Sequence, residues 1–126
     1  MSNDRTHHRE RGQALVEFAL VLPILATLLL GVIQFGIVFH DYLALADAVR
    51  TGARQASVTH DGTAATNAVI ASASELKSTD LAIGVSSTWA PGSDVTVTAT
   101  YPYDISILGV VVKSGRLSAK TTDRVE

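Results

Sequence analysis

Side chains able to do chemistry are few and scattered in this chain. Cysteine is absent, which excludes disulfides, thiolate nucleophiles and Cys-ligated metal. The four histidines, His7, His8, His40 and His60, fall in tails or turns, and their spacing makes no zinc site. No serine is grouped with a histidine and an acid, and no glycine-rich phosphate loop occurs. Tyr101, Tyr103 and Asp104 gather around Pro102, but an aromatic strand end packed on a core accounts for them better than a ligand site. No catalytic residue, metal ligand or cofactor is therefore assigned, and no enzymatic activity is expected. One acid does stand out. Glu17 lies at the entrance of a long apolar stretch, where a carboxylate costs energy and usually has a reason.

The element that positions Glu17 is the apolar stretch itself. From Phe18 to Phe39 no residue is charged, and 15 of these 22 residues are Leu, Ile, Val or Phe. As a helix the stretch is about 33 Å long, enough to cross a hydrocarbon core of about 30 Å. Those 15 side chains favour insertion by about 5–9 kcal/mol in sum, an upper bound because not all sit centrally. Gln34, Pro23, Gly31 and Gly36 subtract from this. The remaining chain is too short to wrap such a helix on all sides, which argues against a buried core helix. Arg5, Arg9 and Arg11 precede the stretch, whereas Asp41 and Asp47 follow it before the next base, Arg50. This asymmetry places the N-terminus in the cytoplasm and the C-terminal part outside the cytoplasmic membrane.

Composition agrees with one small membrane-anchored domain. The chain has 126 residues, 47% hydrophobic and 17% charged, with a net charge of −2. That length allows one domain, and the charge gives no support for nucleic-acid binding. A secretory signal peptide is the rival reading, with Ala44-Leu45-Ala46 as a small-residue cleavage site. Signal cores are shorter, about 7–15 residues, and this site lies beyond the polar His40-Asp41-Tyr42 break.

Arg11-Gly12-Gln13-Ala14-Leu15-Val16-Glu17-Phe18-Ala19 opens the apolar helix. A Gly, four residues, a Glu and an aromatic in this place resemble the processing site of type IV prepilins. The spacing is that of the tight-adherence (Flp) subclass, and the segment resembles the opening of TadE-like proteins, minor pseudopilins of the tight-adherence pilus. The likeness continues through Ala48-Val49-Arg50-Thr51-Gly52-Ala53-Arg54-Gln55-Ala56. It returns in Val95-Thr96-Val97-Thr98-Ala99-Thr100-Tyr101-Pro102-Tyr103, with a weaker echo from Leu117 to Glu126.

The resemblance implies that a membrane prepilin peptidase cuts between Gly12 and Gln13. Glu17 and Phe18 would then serve recognition and assembly, with Glu17 paired to the free N-terminal ammonium of a neighbouring subunit. Glycine suits the scissile position, having no side chain and little helical preference. The alternatives are a plain flexible Gly12 and a Glu17 solvated among headgroups. Expected partners are the cytoplasmic membrane, the peptidase, the major Flp-type pilin and other minor pseudopilins or the assembly platform. No nucleic acid or small-molecule substrate is expected. The expected location is the cytoplasmic (inner) membrane, single-pass, or a surface pilus. The alternative is an uncleaved single-span protein with an extracytoplasmic binding head.

The remaining elements follow from periodicity. Pro23 removes a helical hydrogen bond and predicts a kink or loosening there. Thr27 and Gly31 form a small-xxx-small pair that allows close helix contact. Leu45, Val49, Ala53 and Ala56 continue the helix as an amphipathic stem, with Arg50 and Arg54 on a solvated face. His60-Asp61-Gly62 reads as a turn. Thr63 to Lys77 reads as a second helix capped by Asp61 or Thr63, with Ala65, Ala68, Val69, Ser72 and Leu76 as its stripe. Alternation over Leu81–Trp89 and Val95–Tyr103, around Ala90-Pro91-Gly92-Ser93, predicts a β-hairpin with a solvent-facing Thr-rich side. Ile105–Val112 reads as a buried strand or a loop on apolar surface, Lys113-Ser114-Gly115 as a turn, and Arg116–Val125 as a last strand. The expected fold class is α+β: a leader (1–12), a transmembrane helix (13–39), an extracytoplasmic stem (40–60), and a head (61–126). A short helix and an antiparallel sheet of three to four strands make up the head.

Overall fold

The computed structural model describes residues 4–126, with side chains from Arg9 onward. Residues 1–3 of the expected leader, and the side chains of Arg5, His7 and His8, lie outside the described residues. The chain runs through helix α1 (Asp4–Thr59), helix α2 (Gly62–Ser72) and strands β1 (Ala82–Ser87), β2 (Asp94–Ile107) and β3 (Val110–Arg124). The strands form one antiparallel sheet in the order β1-β2-β3. This is the expected α+β architecture: a long apolar helix, a short helix, then a small sheet.

The described part of the expected leader and the expected span and stem are one continuous helix, Asp4–Thr59, of 56 residues. It passes through Pro23 as helix, and the Thr27 hydroxyl donates to the Pro23 carbonyl at 2.8 Å. The apolar stretch is exposed along most of its length, so the chain itself does not supply the burial that its composition demands. From Leu45 upward the helix changes role. Leu45, Ala48, Val49 and Ala53 are fully buried against Val69 of α2 and Val97 and Ala99 of β2, with Ala73, Leu76 and Ala119 closing the cluster. Ala56, Ala65, Val95 and Val125 form a second cluster above it. The Ala44-Leu45-Ala46 segment thus belongs to the core of the head.

The α1–α2 turn is built locally. His60 takes a left-handed conformation (φ 55°) that ends α1, and its amide donates to the Ala56 carbonyl at 3.0 Å. Asp61 then caps α2 by accepting from the Thr63 amide at 2.8 Å, which satisfies an otherwise orphan donor. Gly52 explains how closely α2 can lie. A Cβ at this position would sit 3.2 Å from the Ala65 carbonyl oxygen and collide with Val69 Cγ2.

Two expectations are corrected. α2 stops at Ser72, five residues short of Lys77. The serine-rich chain then turns, with Leu76 N–H donating to the Ala73 carbonyl at 3.0 Å, so that Ala73 and Leu76 enter the core. Ser72 is exposed rather than part of the stripe. The second correction concerns 105–115. β2 runs on to Ile107, the turn is Leu108-Gly109, and β3 begins at Val110. Lys113, Ser114 and Gly115 are strand residues paired with Ile105, Asp104 and Tyr103. Gly115 imitates a turn residue, yet the Tyr103 ring lies across it, 3.0 Å from where a Cβ would stand. Aromatic cover of a strand glycine is a known way to hold a sheet together. The Ile105–Val112 segment is therefore the end of a long hairpin, and its tip is exposed.

Candidate functional site: the head of the long helix

Gly12, Gln13, Glu17 and Phe18 all lie on α1. Helical spacing brings Gln13 and Glu17 one turn apart on one face. The Gln13 amide Nε2 donates to Glu17 Oε1 at 3.3 Å. Gly12 is inside the helix, and nothing lies within 4 Å of where its Cβ would be. The Gly12–Gln13 bond is thus open to approach from outside but is held in helical form. Phe18 is exposed, as are Leu15 and Val16 beside it. Every side chain of the segment is exposed, with no cover from the rest of the chain.

The upper part of α1 accounts for the second motif. Ala48, Val49, Gly52, Ala53 and Ala56 face the head and are buried, whereas Arg50 and Arg54 are exposed. The arginines are the solvated side that the sequence suggests, and Gly52 is the residue that admits α2. Its packing role could have been read from the small residues at 48, 52, 53 and 56, but not its partner.

The rest of the head holds no chemical centre among the described residues. His40 and Glu75 meet at 2.7 Å, both well exposed. His60 Nε2 contacts the Glu126 carbonyl at 2.8 Å. An open groove is lined by Asp61, Gly62, Thr63, Thr66, Val85 and Trp89, but the Asp61 carboxylate there is already engaged as a helix cap. The Tyr101 hydroxyl accepts from the Lys77 amide at 3.4 Å, and Tyr103 covers Gly115. Both tyrosines therefore have packing roles. No group of three or more His, Asp or Glu side chains suited to a metal occurs among the described residues.

Residues 12–54 match the family model of TadE-like proteins, the family that the sequence resembles. The match begins at Gly12 and ends at Arg54, two residues beyond Gly52. It therefore covers the exposed span and the part of α1 that holds α2. No curated protein and no solved structure matches the chain significantly. α1 is the one described helix long and apolar enough to cross a membrane, and none of its most apolar stretch is buried.

Proposed function

We propose that the chain is a minor pseudopilin or structural assembly component of a tight-adherence (Flp, type IVb-like) pilus, processed between Gly12 and Gln13 by a prepilin peptidase. The observation that carries this reading is the Gly12…Glu17-Phe18 spacing at the head of a 56-residue helix whose apolar surface is left uncovered. The match to TadE-like proteins over residues 12–54 supports a pilus-associated role.

The geometry suits action by subunit contact. In the bilayer, lipid covers the apolar faces of α1; in a filament or assembly platform, helices of neighbouring subunits do so. Cleavage makes Gln13 the first residue, with an ammonium group. Glu17 is then the fifth residue, and its carboxylate pairs with the ammonium of a neighbour. Leaving a charge of this kind unpaired in a low-dielectric bundle costs about 3–5 kcal/mol, so the pair fixes axial register more than it adds net stability. The Gln13 amide holds the same carboxylate within the free chain.

One observation favours the uncleaved anchor with a binding head: α1 is helical on both sides of Gly12, and a peptidase must unwind that turn. Glu17→Ala in the host separates the two readings. Expected are normal membrane insertion and a loss of surface pili or pilus-dependent adhesion of at least tenfold. Unchanged pili with Glu17→Ala would contradict the charge-pair role.

A further inference from the structure

The β2–β3 hairpin is longer than the head requires. Core contacts with α1 fix its direction. Val95 shares a cluster with Ala56, and Val97 and Ala99 share one with Leu45 to Ala53. At the other end of β3, the Glu126 amide donates to the Ser57 carbonyl at 3.1 Å. The strand ends near Val95 and Val125 thus lie at the far end of α1, and the Leu108-Gly109 turn points back toward the apolar span. From Val95 to Leu108 a strand reaches about 43 Å. Even inclined at about 45° to the helix it descends about 30 Å, equal to about 20 helical residues. That places the tip level with about residue 36, within the uncharged stretch.

Burial along α1 agrees. Gln34, Val38 and Asp41 are half-buried, while most of their neighbours are exposed. On a helix these three share one face, an arc of about 80°, with Leu45, Val49, Gly52 and Ala56. In β2, Tyr103, Ile105 and Ile107 continue the inward set of Val95, Val97 and Ala99 and are half-buried. The hairpin therefore lies along the core-facing side of α1 down into the span.

The tip itself is apolar and open. Leu108 is 80% exposed, Val110 66%, Val111 59% and Val112 63%. Both turn residues have positive φ, 52° for Leu108 and 81° for Gly109. Such a turn favours Asn-Gly, and a leucine there is strained. Local folding does not explain why this exposed turn position holds a large apolar side chain. Immediately above the tip the surface becomes charged, with Asp104, Lys113 and Arg116 exposed.

We infer that this hairpin tip, centred on Leu108 and Val110–Val112, inserts into the outer leaflet of the bilayer that α1 crosses, with Lys113 and Arg116 at headgroup level. The occupant is lipid because the tip reaches the depth at which α1 itself faces lipid, and its apolar surface is continuous with that of the span. Long basic side chains above an apolar wedge reach the headgroups. The head is thereby held against the membrane at a second point, with α1 and hairpin making a two-pronged anchor. This rests on α1 spanning a membrane but not on processing or on a pilus.

The lack of cysteine makes the test direct. Single variants Leu28→Cys, Leu108→Cys and Ser86→Cys of the full chain are labelled with an environment-sensitive fluorophore and placed in phosphatidylethanolamine–phosphatidylglycerol vesicles. Quenching by lipids with a spin label on the acyl chain is then read. Expected are strong quenching at positions 28 and 108 and at least fivefold weaker quenching at 86. A label at 108 that behaves like 86, with 28 quenched, would overturn insertion and leave the span intact. Failure of quenching at 28 would remove the span and this inference together. A label at 108 that is shielded from water yet not quenched by lipid would mean that protein, not lipid, covers the tip.

Discussion

Glycine and glutamate do different work at the head of α1. Glycine in a helix costs about 1 kcal/mol relative to alanine, so Gly12 weakens the turn that a peptidase would have to open under the proposed processing. If unwinding limits access, Gly12→Ala slows cleavage about fivefold, because each 1.4 kcal/mol is a factor of ten. Gly12→Val adds a branched side chain at the bond and is expected to abolish cleavage. The accumulation of full-length chain, followed by intact mass, checks both. A Gly12→Val chain cut at the wild-type rate would show that the bond is not read as a prepilin site. The spacing of these residues is plain in the sequence because a helix turns it directly into geometry. The Gln13–Glu17 hydrogen bond follows from the same four-residue spacing.

Helix packing supplies the next prediction. Gly52 lies against the Ala65 carbonyl and Val69 of α2, with no room for a methyl group. Gly52→Ala forces the two helices apart, and overpacking of this kind costs about 1–3 kcal/mol. Loss of the Asp61 cap in Asp61→Ala costs about 1 kcal/mol. Urea unfolding of the head in detergent, followed by Trp89 fluorescence, measures both, and unchanged midpoints would refute the packing account. The cap, the long helix and the strands up to Tyr103 were legible because each carries a local signal: an Asx residue before a helix, an uncharged stretch, strict alternation. Residues 105–115 were not. Val110, Val111 and Val112 are consecutive and all apolar and exposed, so the alternation disappears there. Lys113-Ser114-Gly115 looks like a turn, and the real turn carries a leucine. Both departures from the usual pattern fall where the hairpin meets the apolar span. The early end of α2 was hidden for another reason: burial of Ala73 and Leu76 depends on the sheet beneath them.

At the scale of the whole molecule, one helix serves two solvents. Its lower part matches lipid, and its upper part is the spine of a head with no disulfide and a core of mostly small residues. Such a head draws its stability from α1, so removal of residues 40–60 is expected to leave 61–126 unfolded, as far-ultraviolet circular dichroism of that fragment would reveal. A folded fragment would contradict the shared core. Cysteine accessibility gives the orientation: Ser86→Cys in intact cells stripped of their outer layers should react with an impermeant maleimide. Protection until the cells are lysed would place the head in the cytoplasm. The central claim is that the chain is a processed pilus component. The most direct measurement is the intact mass of the protein from host membranes with and without prepilin peptidase. The account predicts a chain that starts at Gln13 only when the peptidase is present. A chain that starts at Met1 or Ser2 in both cases would contradict it.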